Sequence, residues 1–467
     1  MSFDIDHWQA RFDELRAANH VPGAALAVLT GGVIHELAGG VLHRGTGVEV
    51  TTDSLFLAGS VAKPYTATLV MQLVDSGDLE LDAPVAGMLP EFATPDRAAT
   101  EAITVRRLLS HTGGVTNDFL HDGGRGDDCL ARYVRAARDV PLDLQPGTAL
   151  SYGTLGYVVL GRLVEVLTGR TWDQALKERV FEPLGLEHSM TLPEEALRFR
   201  VAMGHQGAPG RDPDPAAVWD VMPRAFGPGG RVIVSAGDVA RFARMHLEDG
   251  LAPGGTRVLS AESAAAMRRP EVESPDNWTF SADAWGLGWA LYDLGGVSGF
   301  GHDGSAVTQH SYVRAVPEAG FAAVLLANGG GFTGLYQNLF RDLLAELAGA
   351  RLPAPFAPPA VPPAIDPEPL LGSYRRAGVA ITVYRGDDGG PRLRYAFTGD
   401  LEDLAPPLDS ALVPVSTSTA GSGSGSASRT VFAATGFYGE DMPVVFTTPP
   451  GGTPCVYVGM RATPKIS

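Results

Sequence analysis

A proline-rich stretch late in the chain separates two parts whose sequence patterns differ. Residues 351–369 contain eight prolines, and proline both fixes φ and lacks the N–H that helices and inner strands need. Such a segment behaves as a semi-rigid extended linker rather than as part of a packed core. The sequence therefore predicts a large domain over residues 1–349, a linker over residues 350–369 and a small domain over residues 370–467.

The part after the linker has the pattern of a small all-β domain. Short runs of alternating apolar and polar residues recur between turn-forming residues, and we expect them to form a barrel or a sandwich. Residues 416–428 are rich in serine and glycine and are expected to be a mobile low-complexity loop. The strand-like runs are residues 379–384, 393–397, 411–413, 430–432, 444–446 and 456–458.

The large N-terminal part has strand-like patterns towards both ends and helical patterns between them. Strands are expected at residues 24–29, 33–42, 287–292, 308–316 and 320–327. Helices are expected at residues 4–19, 60–75, 104–110, 129–138, 155–168, 172–180, 236–248, 260–268 and 332–347. A simple solution is an α+β fold, in which one antiparallel sheet is built from both ends of the segment and a helical insertion lies between them.

Composition excludes several classes of function. The 467 residues include 36 basic and 53 acidic side chains, and the resulting net charge of −17 disfavours nucleic acid and anionic membranes as partners. Cys129 and Cys455 form no metal-binding pattern, and His111, His121 and His302 are not spaced like helix-borne metal ligands. We therefore expect neither a metal nor an organic cofactor.

The N-terminal residues carry no export signal. Met1 to His7 contain no basic segment followed by an apolar core, and no run of about 18 apolar residues could span a membrane. We therefore expect a cytoplasmic protein that is not inserted in a membrane.

The strongest chemical signal is the pair Ser60-x-x-Lys63. On a helix, the i, i+3 spacing places both side chains on one face, where an amine can take the proton of a serine nucleophile. Lysine can do so only if its pKa is lowered, whereas arginine cannot be deprotonated in a protein. The chain has three lysines, and the other 33 of its 36 basic residues are arginine. The alternative is that Ser60 caps a helix and Lys63 is a solvated surface charge.

Two later segments contain residues that could assist such a pair. Tyr152 lies just before a predicted helix, so a loop could hold its phenol in a cleft; alternatively, it is a core tyrosine packed under the loop. His302 lies among glycines in residues 299–305, on an expected strand edge where the backbone can approach a ligand. The alternative there is a tight turn with an exposed histidine.

Together the three segments resemble one family, the serine β-lactamases, DD-peptidases and penicillin-binding proteins, in the class C and esterase-like branch. The motifs in chain order are Ser60-x-x-Lys63, Tyr152-x-Thr154 and His302-x-Gly304. Residues 103–114, 228–235 and 285–289 are also characteristic of that branch. The resemblance covers about residues 10–348 and implies a β-lactamase/DD-peptidase-like antiparallel sheet with helices.

The resemblance implies a role for each candidate catalytic residue. Ser60 would be the acylated nucleophile and Lys63 its base. Tyr152 would relay protons to or from the leaving group and the incoming nucleophile. His302 takes the place that a lysine often holds, and the backbone N–H groups of Ser60 and Ser305 would form the oxyanion hole.

Three further residues are expected to contact the substrate. Thr154 stands where the family usually has asparagine; it could still bond Lys63 or a substrate carbonyl, but it reaches less far. This difference weakens the expectation of efficient β-lactam hydrolysis. Gly304 would permit close approach of the backbone to a ligand. Arg461, near the end of the β domain, is a candidate substrate anchor, with an ordinary surface arginine as the alternative.

The absence of an export signal and the added β domain point to an acyl donor inside the cell. The chain resembles the stand-alone penicillin-binding-protein-type thioesterases, which release nonribosomal peptides by cyclisation and carry a small lipocalin-like β domain. This resemblance implies that Ser60 takes a peptide from its carrier thioester, and that the peptide's N-terminal amine then closes a head-to-tail macrolactam. It also implies a D-residue at the acyl-donor end and a peptidyl carrier protein or peptidyl thioester as partner.

Other interpretations stay open. A D-stereospecific peptidase, amidase or esterase would use the same residues with water as the acceptor, and its product would be a linear acid. A β-lactamase or a non-catalytic penicillin-binding scaffold is a further alternative on the same fold. The sequence pattern favours no oligomeric state.

Overall fold

The computed structural model describes residues 3–117, 119–208, 210–418, 428–437 and 439–467. Within these ranges, no helix combines the length and the apolar character needed to cross a membrane. The Ser/Gly-rich loop predicted over residues 416–428 lies largely outside the described residues, and residues 416–418 belong to a strand.

The N-terminal part is built on an antiparallel sheet. The strands of the N-terminal part are β1 (Gly23–Thr30), β2 (Val33–His43), β3 (Val48–Glu49), β4 (Phe56–Leu57), β5 (Ser189–Met190), β6 (His205–Gln206), β7 (Asp214–Pro215), β8 (Ile233–Val234), β9 (Val272–Glu273), β10 (Ala284–Trp285), β11 (Ala290–Asp293), β12 (Ser298–Ala306), β13 (Gln309–Val316) and β14 (Phe321–Ala327). Nine of them form one sheet in the order β3-β2-β1-β14-β13-β12-β11-β10-β9. Because β1 pairs with β14, the two ends of this part meet at the middle of the sheet, as the sequence predicts.

Both faces of this sheet are covered, which explains the nearly continuous apolar sequence of β1. Ala25, Ala27 and Leu29 point into one buried cluster. Ala24 and Leu26, which alternate with them, point into another. This period of two is the geometry of a strand whose opposite faces both meet a core. The sheet is therefore a rigid central layer from which a site can be built.

The helices lie on the two faces of the sheet. They are α1 (Ile5–Ala18), α2 (Ala62–Asp75), α3 (Val85–Met88), α4 (Arg97–Ala102), α5 (Val105–Leu109), α6 (Cys129–Ala136), α7 (Leu155–Thr168), α8 (Trp172–Leu176), α9 (Glu182–Leu184), α10 (Pro193–Ala196), α11 (Gly227–Gly230), α12 (Ala236–Leu247), α13 (Ala261–Ala266) and α14 (Phe332–Leu343). The terminal helices α1 and α14 share one buried cluster, and the helices of the insertion contribute to the other. Every predicted helix is present, with ends displaced by a few residues.

Helix α2 is the centre of the helical insertion. Eleven of its 14 residues are buried, as expected of a helix enclosed on all sides. It packs against α7 and α11. The start of α2 is thereby held in the protein interior.

The C-terminal part consists of β-strands arranged as a meander. The strands are β15 (Gly372–Arg376), β16 (Val379–Arg385), β17 (Pro391–Phe397), β18 (Leu408–Ala411), β19 (Val413–Ser418), β20 (Arg429–Thr435), β21 (Asp441–Thr447), β22 (Cys455–Val458) and β23 (Arg461–Pro464). They form sheets of four and five strands in chain order, and an antiparallel bridge between Tyr374 and Lys465 joins the first strand to the last. This order and closure agree with a small barrel of the up-and-down type.

One predicted strand is interrupted. Ala411 ends β18 and Val413 begins β19, so residues 411–413 span the corner between the two sheets rather than forming one continuous strand. Leu412 between them is apolar because its side chain is buried in the barrel core. The lipocalin-like character and the two predicted boundaries, at residues 349/350 and 369/370, stay predictions.

The two parts of the chain pack against each other through an apolar cluster. Leu144 of the N-terminal part is buried with Val431, Val445 and Tyr457 of the C-terminal part. The linker begins on the same surface, where Phe356 lies against Trp278 with 4.9 Å between ring centroids. The β-strand part is therefore docked on the N-terminal part.

Candidate active site

Ser60 lies in a tight turn that leads into α2. Gly59, just before it, has a φ of +52°, and a Cβ there would come within 2.6 Å of the Ser305 backbone nitrogen. Only glycine satisfies both conditions. The turn over Gly59–Val61 is a 3-10 helix that contains Ser60, and the residue at the N-cap position of α2 is Val61. The alternative in which Ser60 caps a helix is therefore wrong.

Lys63 is fully buried beside Ser60. Its Nζ lies 3.2 Å from Ser60 Oγ and donates a hydrogen bond to the Gly229 carbonyl at 2.5 Å. Burial lowers the pKa of Lys63 well below the ordinary lysine value, and the positive charge of Arg461 lowers it further. The alternative of a solvated surface charge is wrong, and the geometry is that of an amine that can accept the Ser60 proton.

Tyr152 lies in the loop before α7, with its ring against the lysine. Lys63 Nζ is 4.7 Å from the ring centroid, and the ring is enclosed by His111, Phe280, Trp285 and His302. Burial raises the pKa of Tyr152, whereas the nearby Ser60 hydroxyl and the charge of Arg461 act in the opposite direction. Among the described residues its hydroxyl makes no fully formed hydrogen bond. The phenol is thus protonated and lies beside the Ser60 hydroxyl.

His302 lies on the part of β12 that extends beyond its pairing with β11. The pairing of β12 with β11 ends at Gly301, so the predicted strand edge begins at His302. The His302 ring is buried, and its Nδ1 donates to the carbonyl of Asp303 at 2.6 Å. The alternative of an exposed histidine in a turn is therefore wrong.

The buried imidazole is neutral. Burial, together with the charge of Lys63, lowers the pKa of His302 to about 3. With its proton on Nδ1, the ring presents a bare Nε2, for which the described residues offer no hydrogen-bond donor. His302 thus supplies an acceptor where a lysine would supply a positive charge.

Asp303, the residue after His302, forms a largely buried ion pair with Arg314. The guanidinium of Arg314 on β13 forms two hydrogen bonds with the Asp303 carboxylate, one of them at 3.2 Å. Arg314 is completely buried and also lies over the rings of Tyr292 and Tyr336. The pair fixes the strand segment from which the His302 ring projects.

Gly304 and Ser305 join β12 to the nucleophile turn. A Cβ on Gly304 would stand 2.0 Å from the Ala58 carbonyl oxygen, so this glycine permits close approach to the chain itself. Contact of Gly304 with a ligand stays a prediction. The same packing sets the Ser305 backbone beside Gly59 and Ser60, in keeping with an oxyanion hole formed by the N–H groups of Ser60 and Ser305.

Thr154 is close to the lysine environment without bonding it. It precedes α7 and makes no side-chain cap; its methyl group faces Gly229, where an added Cβ would lie 2.9 Å away. In the described part of the chain, Lys63 bonds the Gly229 carbonyl instead of the Thr154 hydroxyl. The Gly229 carbonyl thus accepts the hydrogen bond from Lys63 that the short Thr154 side chain does not accept.

Arg461 belongs to the site although it comes from the C-terminal part. Its guanidinium carbon is 5.9 Å from the Tyr152 ring centroid, and the residue is partly buried. The alternative of an ordinary surface arginine is wrong. The structure therefore brings Ser60, Lys63, Tyr152, Thr154, His302, Ser305 and Arg461 to one place.

For three residues of the site, the sequence predicts no individual role. Gly229 supplies the carbonyl that Lys63 bonds. His111 accepts a hydrogen bond on Nδ1 from the Gly153 N–H at 3.2 Å. Met460 accepts one on its carbonyl from the Tyr152 N–H at 3.0 Å. The first two lie in segments characteristic of the resembled branch, whereas a main-chain contact such as that of Met460 has no side-chain signature.

Comparison with known proteins identifies the family. The family model described as Beta-lactamase matches residues 8–347. The chain is 62% identical over 380 residues to penicillin-binding protein 4 of Amycolatopsis lactamdurans, which spans 81% of this chain and 100% of that protein. The chain belongs to the beta-lactamase and penicillin-binding-protein family, a family of serine hydrolases.

Three further similarities accompany this result. The crystal structure of SurE superposes with a TM-score of 0.75 and 28% identity, covering 99% of both chains. SurE with D-Leu superposes with a TM-score of 0.74, at the same identity and coverage. Unguisins hydrolase ungD' of Aspergillus campestris is 27% identical over 332 residues, which are 66% of this chain and 59% of that protein.

Proposed function

We propose that this protein is a penicillin-binding-protein-type thioesterase that releases a nonribosomal peptide from its carrier thioester by head-to-tail macrolactam formation. The observation that carries the proposal is the extent of the similarity to SurE. The family model ends at residue 347, whereas the SurE superposition covers 99% of the chain and so includes the C-terminal strands. The resemblance of the motifs to the peptide-cyclising thioesterases supports the same function.

In the first step, the peptide is transferred to Ser60. Ser60 Oγ attacks the thioester carbonyl while the neutral Lys63 amine takes its proton. The N–H groups of Ser60 and Ser305 stabilise the oxyanion. The carbon–sulfur bond then breaks, an ester bond to Ser60 remains, and the proton passes through Lys63 and Tyr152 to the departing thiolate.

In the second step, the peptide's own N-terminal amine attacks the ester. An amide bond forms, the bond to Ser60 Oγ breaks, and the proton lost by the amine returns to Ser60 through Tyr152 and Lys63. Hydrolysis competes with this step. The burial of Lys63, Tyr152 and His302 favours cyclisation, because few water molecules can reach the ester while the peptide fills the site.

The acyl donor is proposed to end in a D-residue. The superposition with SurE bound to D-Leu, over 99% of both chains, supports this configuration. Arg461 is proposed to anchor the substrate, since its cationic group lies beside Tyr152. A peptidyl carrier protein, or a peptidyl thioester that mimics it, is the proposed partner.

The test uses peptidyl thioesters that differ in one feature at a time. One peptide has a free N-terminal amine and a D-residue at the thioester, a second has an L-residue there, and a third is N-acetylated and cannot cyclise. We expect the macrolactam from the first alone, detected by mass spectrometry, and no product with the S60A variant. Linear acid as the sole product of the first peptide would refute cyclase function.

A D-stereospecific hydrolase is the second candidate. The similarity to unguisins hydrolase ungD' over two thirds of the chain favours it. It predicts linear acid from the D-peptide whether or not the amine is acetylated, so the same set of substrates distinguishes the two functions.

A further inference from the structure

The loop that carries Tyr152 is held through three consecutive backbone amides. The Ser151 N–H donates to the carbonyl of His111 at 2.9 Å, and the Tyr152 N–H donates to the carbonyl of Met460 at 3.0 Å. The Gly153 N–H donates to Nδ1 of His111 at 3.2 Å. The backbone at Tyr152 is therefore fixed from two sides, and one of these is the C-terminal part of the chain.

Two more hydrogen bonds tie the same loop to the same C-terminal strands. The Tyr457 hydroxyl donates to the carbonyl of Leu150 at 2.9 Å, in a buried position. The Ala462 N–H donates to Ser151 Oγ at 3.2 Å. With the bond to Met460, three bonds connect residues 150–152 to residues 457–462. A loop and a hairpin about 300 residues apart in sequence thus behave as one unit.

The hairpin itself is built to bring its tip into the site. Val458 pairs with Arg461 across a two-residue turn, and Gly459 and Met460 in that turn have φ values of +61° and +67°. When both residues of a two-residue turn have a left-handed backbone, the twist of the turn matches the twist of the paired strands. A non-glycine residue adopts this conformation at a cost. Burial of the Met460 side chain in the same cluster as Tyr152 and Trp285 offsets that cost.

We propose that the hairpin of residues 457–462 is a positioning element for Tyr152. It holds the loop so that the phenol stays over Lys63, where Nζ is 4.7 Å from the ring centroid. The C-terminal strands are thereby part of the machinery for proton transfer, in addition to any contact with substrate through Arg461. The inference rests on the proposed role of Tyr152 as a proton relay, and it holds for either a cyclase or a hydrolase.

Tyr457→Phe removes one of the three bonds and leaves the aromatic ring in place. Tyr384→Phe is a matched control, because Tyr384 lies on the same C-terminal part and its hydroxyl bonds Asp409 at an exposed position. Turnover of a p-nitrophenyl ester measures the chemistry without requiring cyclisation. Each substitution is made in the wild-type chain and in a Tyr152→Phe background, and thermal unfolding is recorded for every variant.

We expect Tyr457→Phe to lower kcat on the order of tenfold, with KM unchanged, because a displaced relay impairs proton transfer more than binding. In the Tyr152→Phe background the same substitution should cause no further loss, since residues that act through one another are not additive. Tyr384→Phe should leave kcat unchanged. Ser151→Ala, which removes the acceptor for Ala462, should reproduce the result if Tyr457→Phe does not fold.

Two results would overturn the inference. One is an equal loss of kcat in both backgrounds, which would mean that the hairpin does not act through Tyr152. The other is a loss no greater than that of Tyr384→Phe in a folded variant. Because the ester needs no attacking peptide amine, either result is separable from a failure of the cyclisation test.

Discussion

Lys63 donates a hydrogen bond to the Gly229 carbonyl at 2.5 Å while its Nζ stays 3.2 Å from Ser60 Oγ. A carbonyl can only accept, so one N–H of the amine is committed to Gly229. When the amine is neutral, its lone pair is then left to receive the Ser60 proton. The Gly229 carbonyl oxygen thus orients the base, whereas the sequence suggests Thr154 as a hydrogen-bond partner of Lys63.

Replacing Lys63 by arginine separates the charge of this residue from its basicity. Arginine keeps a cation at the site but cannot be deprotonated. We expect Lys63→Arg to slow the labelling of Ser60 by a fluorophosphonate on the order of a thousandfold, as loss of an activating base does. Gel fluorescence over time gives the rate.

Lys177→Arg is the control for that substitution, because Lys177 is exposed on the surface. Its labelling rate should equal that of the wild type. Labelling of Lys63→Arg at the wild-type rate would show that Ser60 does not depend on Lys63, and Ser60→Ala should not label in any background.

Removing the charge of Arg461 should change the pH dependence of labelling. The positive charge of Arg461 lowers the pKa of Lys63, in addition to the larger effect of burial. Arg461→Gln should therefore raise that pKa and move the ascending limb of the rate profile to higher pH. Arg461→Lys keeps a cation and should move the limb less.

The measurement is the rate of fluorophosphonate labelling across a pH series. Because burial remains in the variant, the limb should still lie below the ordinary range of lysine. A limb at the same pH in the wild type and in Arg461→Gln would contradict the electrostatic coupling between the two cations.

The buried pair of Asp303 and Arg314 should be costly to break from one side. Arg314→Met leaves the Asp303 carboxylate buried without its counter-ion, and such changes typically cost about 3–5 kcal/mol of the free energy of unfolding. A double variant, Asp303→Leu with Arg314→Met, removes both charges and should recover much of that loss. Urea denaturation followed by circular dichroism measures both, and a double variant less stable than the single one would contradict this account.

The sequence predicts what depends on local periodicity and on side-chain chemistry. Helix α2, which carries Lys63, and helix α7, which follows Thr154, are predicted from apolar spacing. The pairing of β1 with β14 is predicted from apolar runs at both ends. The hydrogen bond from the Tyr152 N–H to the Met460 carbonyl cannot be predicted from the sequence, because both groups belong to the main chain and nearly every residue carries them. The break at Leu412 cannot be predicted from the sequence either. Leu412 is as apolar and buried as a strand residue, and its N–H donates to the carbonyl of Pro391 at the end of the β17–β18 pairing.

Buried neutral histidines should make the protein sensitive to acid. Burial lowers the pKa of His246, His302 and His310 to about 3 in each case, whereas an unfolded chain binds these protons near pH 6.5. Between about pH 6.5 and 3 the unfolded state therefore holds more protons than the folded state. The free energy of unfolding falls as the pH is lowered, by about 1.4 kcal/mol per pH unit for each group.

His246→Phe tests this dependence for one group. His246 is packed among Phe242, Trp289 and Phe300, so an aromatic ring of similar size can occupy its place. Urea denaturation at several pH values from 4 to 6 should give a shallower dependence in the variant, by about 1.4 kcal/mol per pH unit. Parallel dependences for the variant and the wild type would mean that His246 gains no proton on unfolding, because only a difference in bound protons between the two states makes stability vary with pH.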